Sequence, residues 1–220
     1  MIIDETDGPV VIGERCEIFE TAILTGPLTI GDDVYIGPYA VVGAPAQHRG
    51  SYPCSLDSER RMDGVYVRNR ACIREFVQVH QGIVRPTIVG EDCLLMAGAH
   101  IAHDSQLGSG VTMGSFSILG GFSLIDDAAT FGQGVVTHPW IIIGERAMVG
   151  LNSSVVKDVQ PYAKVAGAPA RLLGSNTSKD AALPSDYSEH VLSDSVWERW
   201  ARLEDQQLSA KEKWAWLNHS

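Results

Sequence analysis

Three observations predict that this 220-residue chain is all-β, wound as a parallel β-helix. An aliphatic residue returns at every sixth position, the side chain two residues before it is small or slim, and glycine commonly follows it. The first run of anchors is Ile12, Ile18, Leu24, Ile30, Ile36 and Val42. After an interruption come Val67, Ile73 and Val79. After a second come Val89, Leu95, Ile101, Leu107, Met113, Leu119, Ile125, Phe131, Thr137, Ile143, Val149 and Val155, without a slip.

A period of six does not fit a helix, which repeats every 3.6 residues. Two inward positions two residues apart mark a short strand, because strand side chains alternate faces. The glycine after the anchor, as in Ile30-Gly31 or Met113-Gly114, is expected to supply a tight bend that a Cβ would obstruct. Three strand-and-bend units close a triangular coil of 18 residues. Stacked coils then pair their strands in parallel around a column of anchors, the architecture that hexapeptide periods signal. The 21 anchors divide into seven coils.

The coils occupy residues 1–175, and residues 176–220 form a separate linker and C-terminal helical tail. From Ser175 to about Pro184 the chain is polar and turn-rich. Ser193-Asp194 then suits the cap of a short helix running through Trp197, Trp200 and Leu203 to Trp214 and Leu217. Four of the five tryptophans lie in this tail. They either pack it on the coils or a neighbouring subunit, or form a lid or docking surface.

A formal net charge of −10 with no basic run argues against nucleic acid. The sequence carries no membrane-length apolar stretch and no signal peptide, so a cytoplasmic location is expected. Cys16 and Cys93 fill small inward positions, Cys54 lies in the first interruption and Cys72 sits beside an anchor. No cysteine pairing suggests a zinc site or a disulfide framework. No cysteine or serine has the setting of a covalent nucleophile.

Read in steps of 18, the register becomes a map of one prism edge. One anchor column runs Val42, Val79, Ile101, Leu119, Thr137, Val155, and both interruptions, residues 43–64 and 81–88, leave from it. His80, His103 and His138 directly follow its anchors, His100 precedes Ile101, and His48 lies in the first interruption. Five of the seven histidines thus gather on one edge, where a side chain that moves protons near neutral pH is useful.

The stretch Leu94-Leu95-Met96-Ala97-Gly98-Ala99-His100-Ile101-Ala102-His103-Asp104 resembles the core motif of the UDP-N-acetylglucosamine acyltransferases of lipid A synthesis, within the hexapeptide-repeat acyltransferase superfamily. Ile73-Arg74-Glu75-Phe76-Val77-Gln78-Val79-His80-Gln81-Gly82 resembles the same family one coil below. The resemblance implies a left-handed parallel β-helix, a homotrimer, and active sites in the clefts between subunits. It makes His103 the general base that deprotonates the sugar hydroxyl, with Asp104 orienting it and the Gly121 N–H stabilising the oxyanion. It also assigns substrate contacts to His100, His138, Gln47 and Asn176.

Several positions depart from the family pattern. Phe122 replaces a histidine, Pro139 a glutamine, and His48 a sugar-binding aspartate, so an amino-sugar nucleotide acylated to an amide stays open as an alternative acceptor. Leu151 stands where the family limits acyl-chain length and implies a shorter acyl group. Residues 176–220 carry five Lys/Arg against eight Asp/Glu, whereas the family tail is basic and binds acyl carrier protein. Both acyl carrier protein and coenzyme A therefore stay open as thioester donors, with no tightly bound cofactor expected. Arg60, Arg61, Arg68, Arg70 and Arg74 are candidates for phosphates or simply solvated coil faces. A zinc enzyme of the γ-carbonic anhydrase type shares the fold, but His100 and His103 are separated by only two residues, which is the wrong ligand spacing.

Overall fold

The computed structural model describes residues 1–49 and 62–177. These residues contain strands and turns arranged as a three-sided parallel β-solenoid of about eight turns. The first face has eight strands, from Ile2–Asp4 to Ser154–Val155, and the second has seven, from Val10–Ile12 to Ile142–Ile143. The third runs from Glu17–Ile18 to Ala163–Ala166 and ends in an antiparallel strand, Arg171–Ser175. The anchor run therefore understated the stack, which gains a strand pair below at Ile3↔Leu24 and one above at Val149↔Val165. The expected helix of the tail, with its tryptophans, lies outside the described residues.

The 18-residue register holds wherever the repeat is unbroken: Ile101 pairs with Leu119, Leu107 with Ile125, and Met113 with Phe131. Across the interruptions the partners are Val42↔Val79 and Val79↔Ile101, so the ladder continues past both, with one register shift between Val79 and His80, where His80 pairs with Ala44. Anchors from Leu24 to Val155 are buried, and only Ile12 and Ile18, at the lower end, are half-exposed. Each strand is only two to four residues long, so stability must come from stacking neighbours rather than from any isolated strand. Thr137 is the single polar anchor above Leu24, and its hydroxyl accepts a hydrogen bond from Gly120 N–H at 3.0 Å.

The glycine after each anchor works differently from the bend expected of it. At Gly114 φ is not positive, yet an added Cβ would lie 2.5 Å from the carbonyl carbon of Gly132 in the next coil. The glycine permits close approach between coils. The left-handed residue of each corner sits two positions further on, and it is usually not glycine: Asp92, Asp104, Phe116, Phe122, Ala128 and Trp140 all have φ between 54° and 65°.

Candidate active site

The edge between the first and second faces collects the chemistry. His103 follows strand His100–Ile101, is 8% exposed, and places Nδ1 2.7 Å from Oδ2 of Asp104. Asp104 is fully buried in the left-handed corner position. The second interruption wraps it: Val84 and Arg85 N–H donate to Oδ1 at 2.8 and 2.9 Å, and Ile83 N–H reaches the same carboxylate at 3.1 Å. Asp104 N–H donates to Thr87 Oγ1 at 2.9 Å, and Arg85 Nε donates to the Asp104 carbonyl at 2.7 Å. The carboxylate has only acceptor roles toward these donors, so the proton in the 2.7 Å contact is on His103 Nδ1. In the neutral imidazole that hydrogen bond leaves Nε2 as a lone pair.

Gly121 adjoins that lone pair from the coil above. A Cβ built on it would stand 2.9 Å from both Cε1 and Nε2 of His103, so only glycine leaves the imidazole in place. Among the described residues neither His103 Nε2 nor the Gly121 N–H has a hydrogen-bond partner. A proton acceptor and a residue able to supply a backbone donor thus lie side by side on adjacent coils, the two groups that acyl transfer to a hydroxyl requires.

Histidines and aromatics surround this pair. The His48 ring lies 5.8 Å from that of His103, and the His80 and His100 rings are 4.8 Å apart. His80 is buried, and its Nδ1 donates to Pro45 O at 2.8 Å, which ties the first interruption to its root. Burial pushes the His80 imidazole below its ordinary value and that of His100 down to about 4, neighbouring histidines adding to the second shift. Phe122 stands at 90° to His103, with centroids 5.1 Å apart, and Trp140 stacks on Phe122 at 4.1 Å.

The structure thus brings together His48, His80, His100, His103, Asp104, Gly121 and Phe122. Gln47 is exposed beside His48, and exposed His138 lies on the same edge one coil above Gly121, its Nδ1 2.9 Å from Pro139 O. Two predicted residues sit on other edges of the prism. Leu151, 69% exposed, lies between the third and first faces. Asn176 lies between the second and third, donating from Nδ2 to Arg146 O. Neither meets His103 within one chain. The backbone of 83–85, with Arg85 and Thr87, escaped the sequence reading, because the turn of an insertion is not written in a hexad. Trp140 was legible, being an aromatic 18 residues beyond Phe122. Among the described residues no three His, Cys, Asp or Glu side chains converge to hold a metal.

The period, the solenoid and this edge define a class, that of the hexapeptide-repeat proteins. Residues 9–44 and 86–121 match the bacterial transferase hexapeptide (six repeats) family. The chain is 35% identical over 175 residues to the acyl-[acyl-carrier-protein]–UDP-N-acetylglucosamine O-acyltransferase of Rhizobium johnstonii, spanning 77% of this chain and 61% of that protein. The Sinorhizobium fredii enzyme of the same name is 32% identical over 165 residues, 73% of this chain and 58% of that one. The chain thus spans about three fifths of the length of these curated relatives. The Bacteroides fragilis UDP-N-acetylglucosamine acyltransferase structure superposes with a TM-score of 0.70 at 27% identity, over 80% of this chain and 73% of that one. The Francisella novicida UDP-N-acetylglucosamine acyltransferase gives 0.74 at 24% identity over 91% and 77%, a likeness of fold.

Proposed function

We propose that this protein transfers an acyl group from a thioester carrier to a hydroxyl of UDP-N-acetylglucosamine. His103 Nε2 takes the hydroxyl proton as the oxygen attacks the thioester carbon, and the Gly121 N–H stabilises the developing oxyanion. Asp104 holds the imidazole with Nδ1 protonated and stabilises the imidazolium that forms. Collapse of the tetrahedral intermediate expels the carrier thiolate, which takes the proton back from His103. The observation that carries this reading is the His103–Asp104 pair at 2.7 Å beside Gly121, whose N–H has no partner among the described residues. The relatives' names supply the acceptor and the acyl carrier protein donor.

The working unit is a homotrimer in the cytoplasm, with each site completed between subunits. Supporting this, the first face exposes Ile118 and Val136, and the edge beside it exposes Phe116 and Leu151, an apolar strip suited to a second copy. No helix among the described residues is long and apolar enough to cross a membrane. In the trimer, Leu151 and Asn176 of one protomer approach the His103 edge of another, and Leu151 limits the acyl chain to short groups.

A panel of UDP-N-acetylglucosamine and amino-sugar nucleotides, assayed with acyl carrier protein and coenzyme A thioesters, tests the substrates. The His103→Ala variant is expected to lose at least about a hundredfold in kcat on the productive pair. Near-normal turnover in that variant would sink the mechanism.

A further inference from the structure

His80 is buried one coil below the base, and the transfer chemistry leaves it unused. Its Nδ1–H is committed to the Pro45 carbonyl at 2.8 Å, at the point where the chain leaves the ladder for the first interruption. That bond fixes the tautomer and leaves the Nε2 lone pair, which is buried and has no partner among the described residues. The imidazole packed against this ring is His100, with centroids 4.8 Å apart and planes tilted by 43°. His100 points outward from its strand and is half-buried, so it spans from the buried ring to the open edge.

We infer that His80 is a positioning residue that sets the hydrogen-bond polarity of His100, and so makes the acceptor subsite select a hydroxyl or amide donor group on the sugar. The chain of donors runs in one direction. Pro45 O accepts from His80 Nδ1–H, so His80 Nε2 can only accept, and a modest turn of His100 about its soft ring torsion lets a His100 N–H donate to it. The other His100 nitrogen is then a lone pair facing the edge, which accepts from an O–H or N–H and gives a phosphate nothing to bind. Burial supports the arrangement by holding both rings neutral near pH 7. The same Nδ1 bond ties the root of the loop carrying Gln47 and His48, and Gln81 reinforces it through N–H to Ala44 O at 2.7 Å and Nε2 to Thr25 O at 3.0 Å.

This inference rests on the acyl-transfer reading only for its kinetic consequence. Two variants separate polarity from packing. His80→Phe keeps a ring but removes donor and acceptor, whereas His80→Gln restores one of each. For UDP-N-acetylglucosamine, His80→Phe is expected to raise KM about tenfold, the effect of a lost hydrogen bond, with kcat little changed and His80→Gln largely recovering it. Histidine-selective nitrogen NMR on the unliganded protein should find His80 protonated at Nδ1 and His100 in a single tautomer, a preference lost in His80→Phe. An Nε2-protonated His80 in the wild type, or unchanged KM and His100 tautomer in His80→Phe, overturns the inference. If the wild type acylates no nucleotide sugar, the functional reading falls, while the NMR comparison still decides the role of His80.

Discussion

At the scale of single residues, the site depends on two small facts of geometry. His103 is held from behind by Asp104 at 2.7 Å, so the imidazole cannot retreat from anything that crowds its other side. Gly121 occupies that other side, and a methyl group there would meet Cε1 and Nε2 at 2.9 Å. Gly121→Ala keeps the backbone N–H but must push the base off line, and misplacement by about 1 Å can cost about a hundredfold. The variant is therefore expected to lose about that much kcat in steady-state kinetics, while calorimetry still shows a cooperative unfolding transition, lowered by about 1–3 kcal/mol of overpacking. A fully active Gly121→Ala would mean that the reacting atoms lie elsewhere.

At the scale of elements, the second interruption is a clamp on the base pair. Its turn at residues 83–85 points N–H groups at the Asp104 carboxylate, and Thr87, where the ladder resumes, accepts from Asp104 N–H. Thr87 is fully buried, so Thr87→Val conserves volume while stranding a buried donor, at a cost of about 1–3 kcal/mol. Chemical denaturation should register that loss, and kcat should fall more than KM rises because Asp104 loosens. Unchanged stability would show that the donor finds another acceptor. The sequence placed this interruption on the histidine edge, since counting in eighteens needs no coordinates. The role of the loop was hidden, because three backbone donors carry no residue signature. The aromatic wall shows the converse, as Phe122 and Trp140 share a register position that spacing alone reveals, and the structure adds their 4.1 Å stack.

At the scale of the whole molecule, the histidine cluster couples chemistry to stability. The folded protein holds His80 below its ordinary value, and His100 at about 4 against 6.5. A depressed imidazole means the unfolded chain binds protons first as pH falls, so ∂ΔG/∂pH is positive in that window. Stability is then unaffected by these groups above 6.5, declines from there toward about 4, and loses nothing further from His100 below it. Denaturant midpoints across this range should show the decline, and His100→Gln should flatten it. An equal slope in that variant would assign the pH dependence to other groups.

The solenoid itself rests on coil-to-coil approach, and this is where the repeat was legible in outline and misread in detail. The anchors and their period gave the three faces, because burial of an aliphatic column imposes a strict spacing on the sequence. The glycines looked like bends since a bend and a close approach both demand the absence of a Cβ, and a sequence does not distinguish them. Two glycines now separate the effects. Gly110 has φ +69° and open space, with the nearest atom 3.9 Å from an added Cβ, so Gly110→Ala meets only left-handed backbone strain of about 1–2 kcal/mol. Gly114 has ordinary φ, but its Cβ would drive into the backbone of Gly132 and Gln133 at 2.5 and 2.6 Å. Backbone inside a parallel ladder cannot give way as a flexible side chain does, so the two coils must part. Gly114→Ala should therefore cost about 3 kcal/mol or more, the upper end of overpacking. Parallel denaturation of the two variants checks this ranking, and a Gly110→Ala loss equal to or above that of Gly114→Ala would return the glycine to the bend.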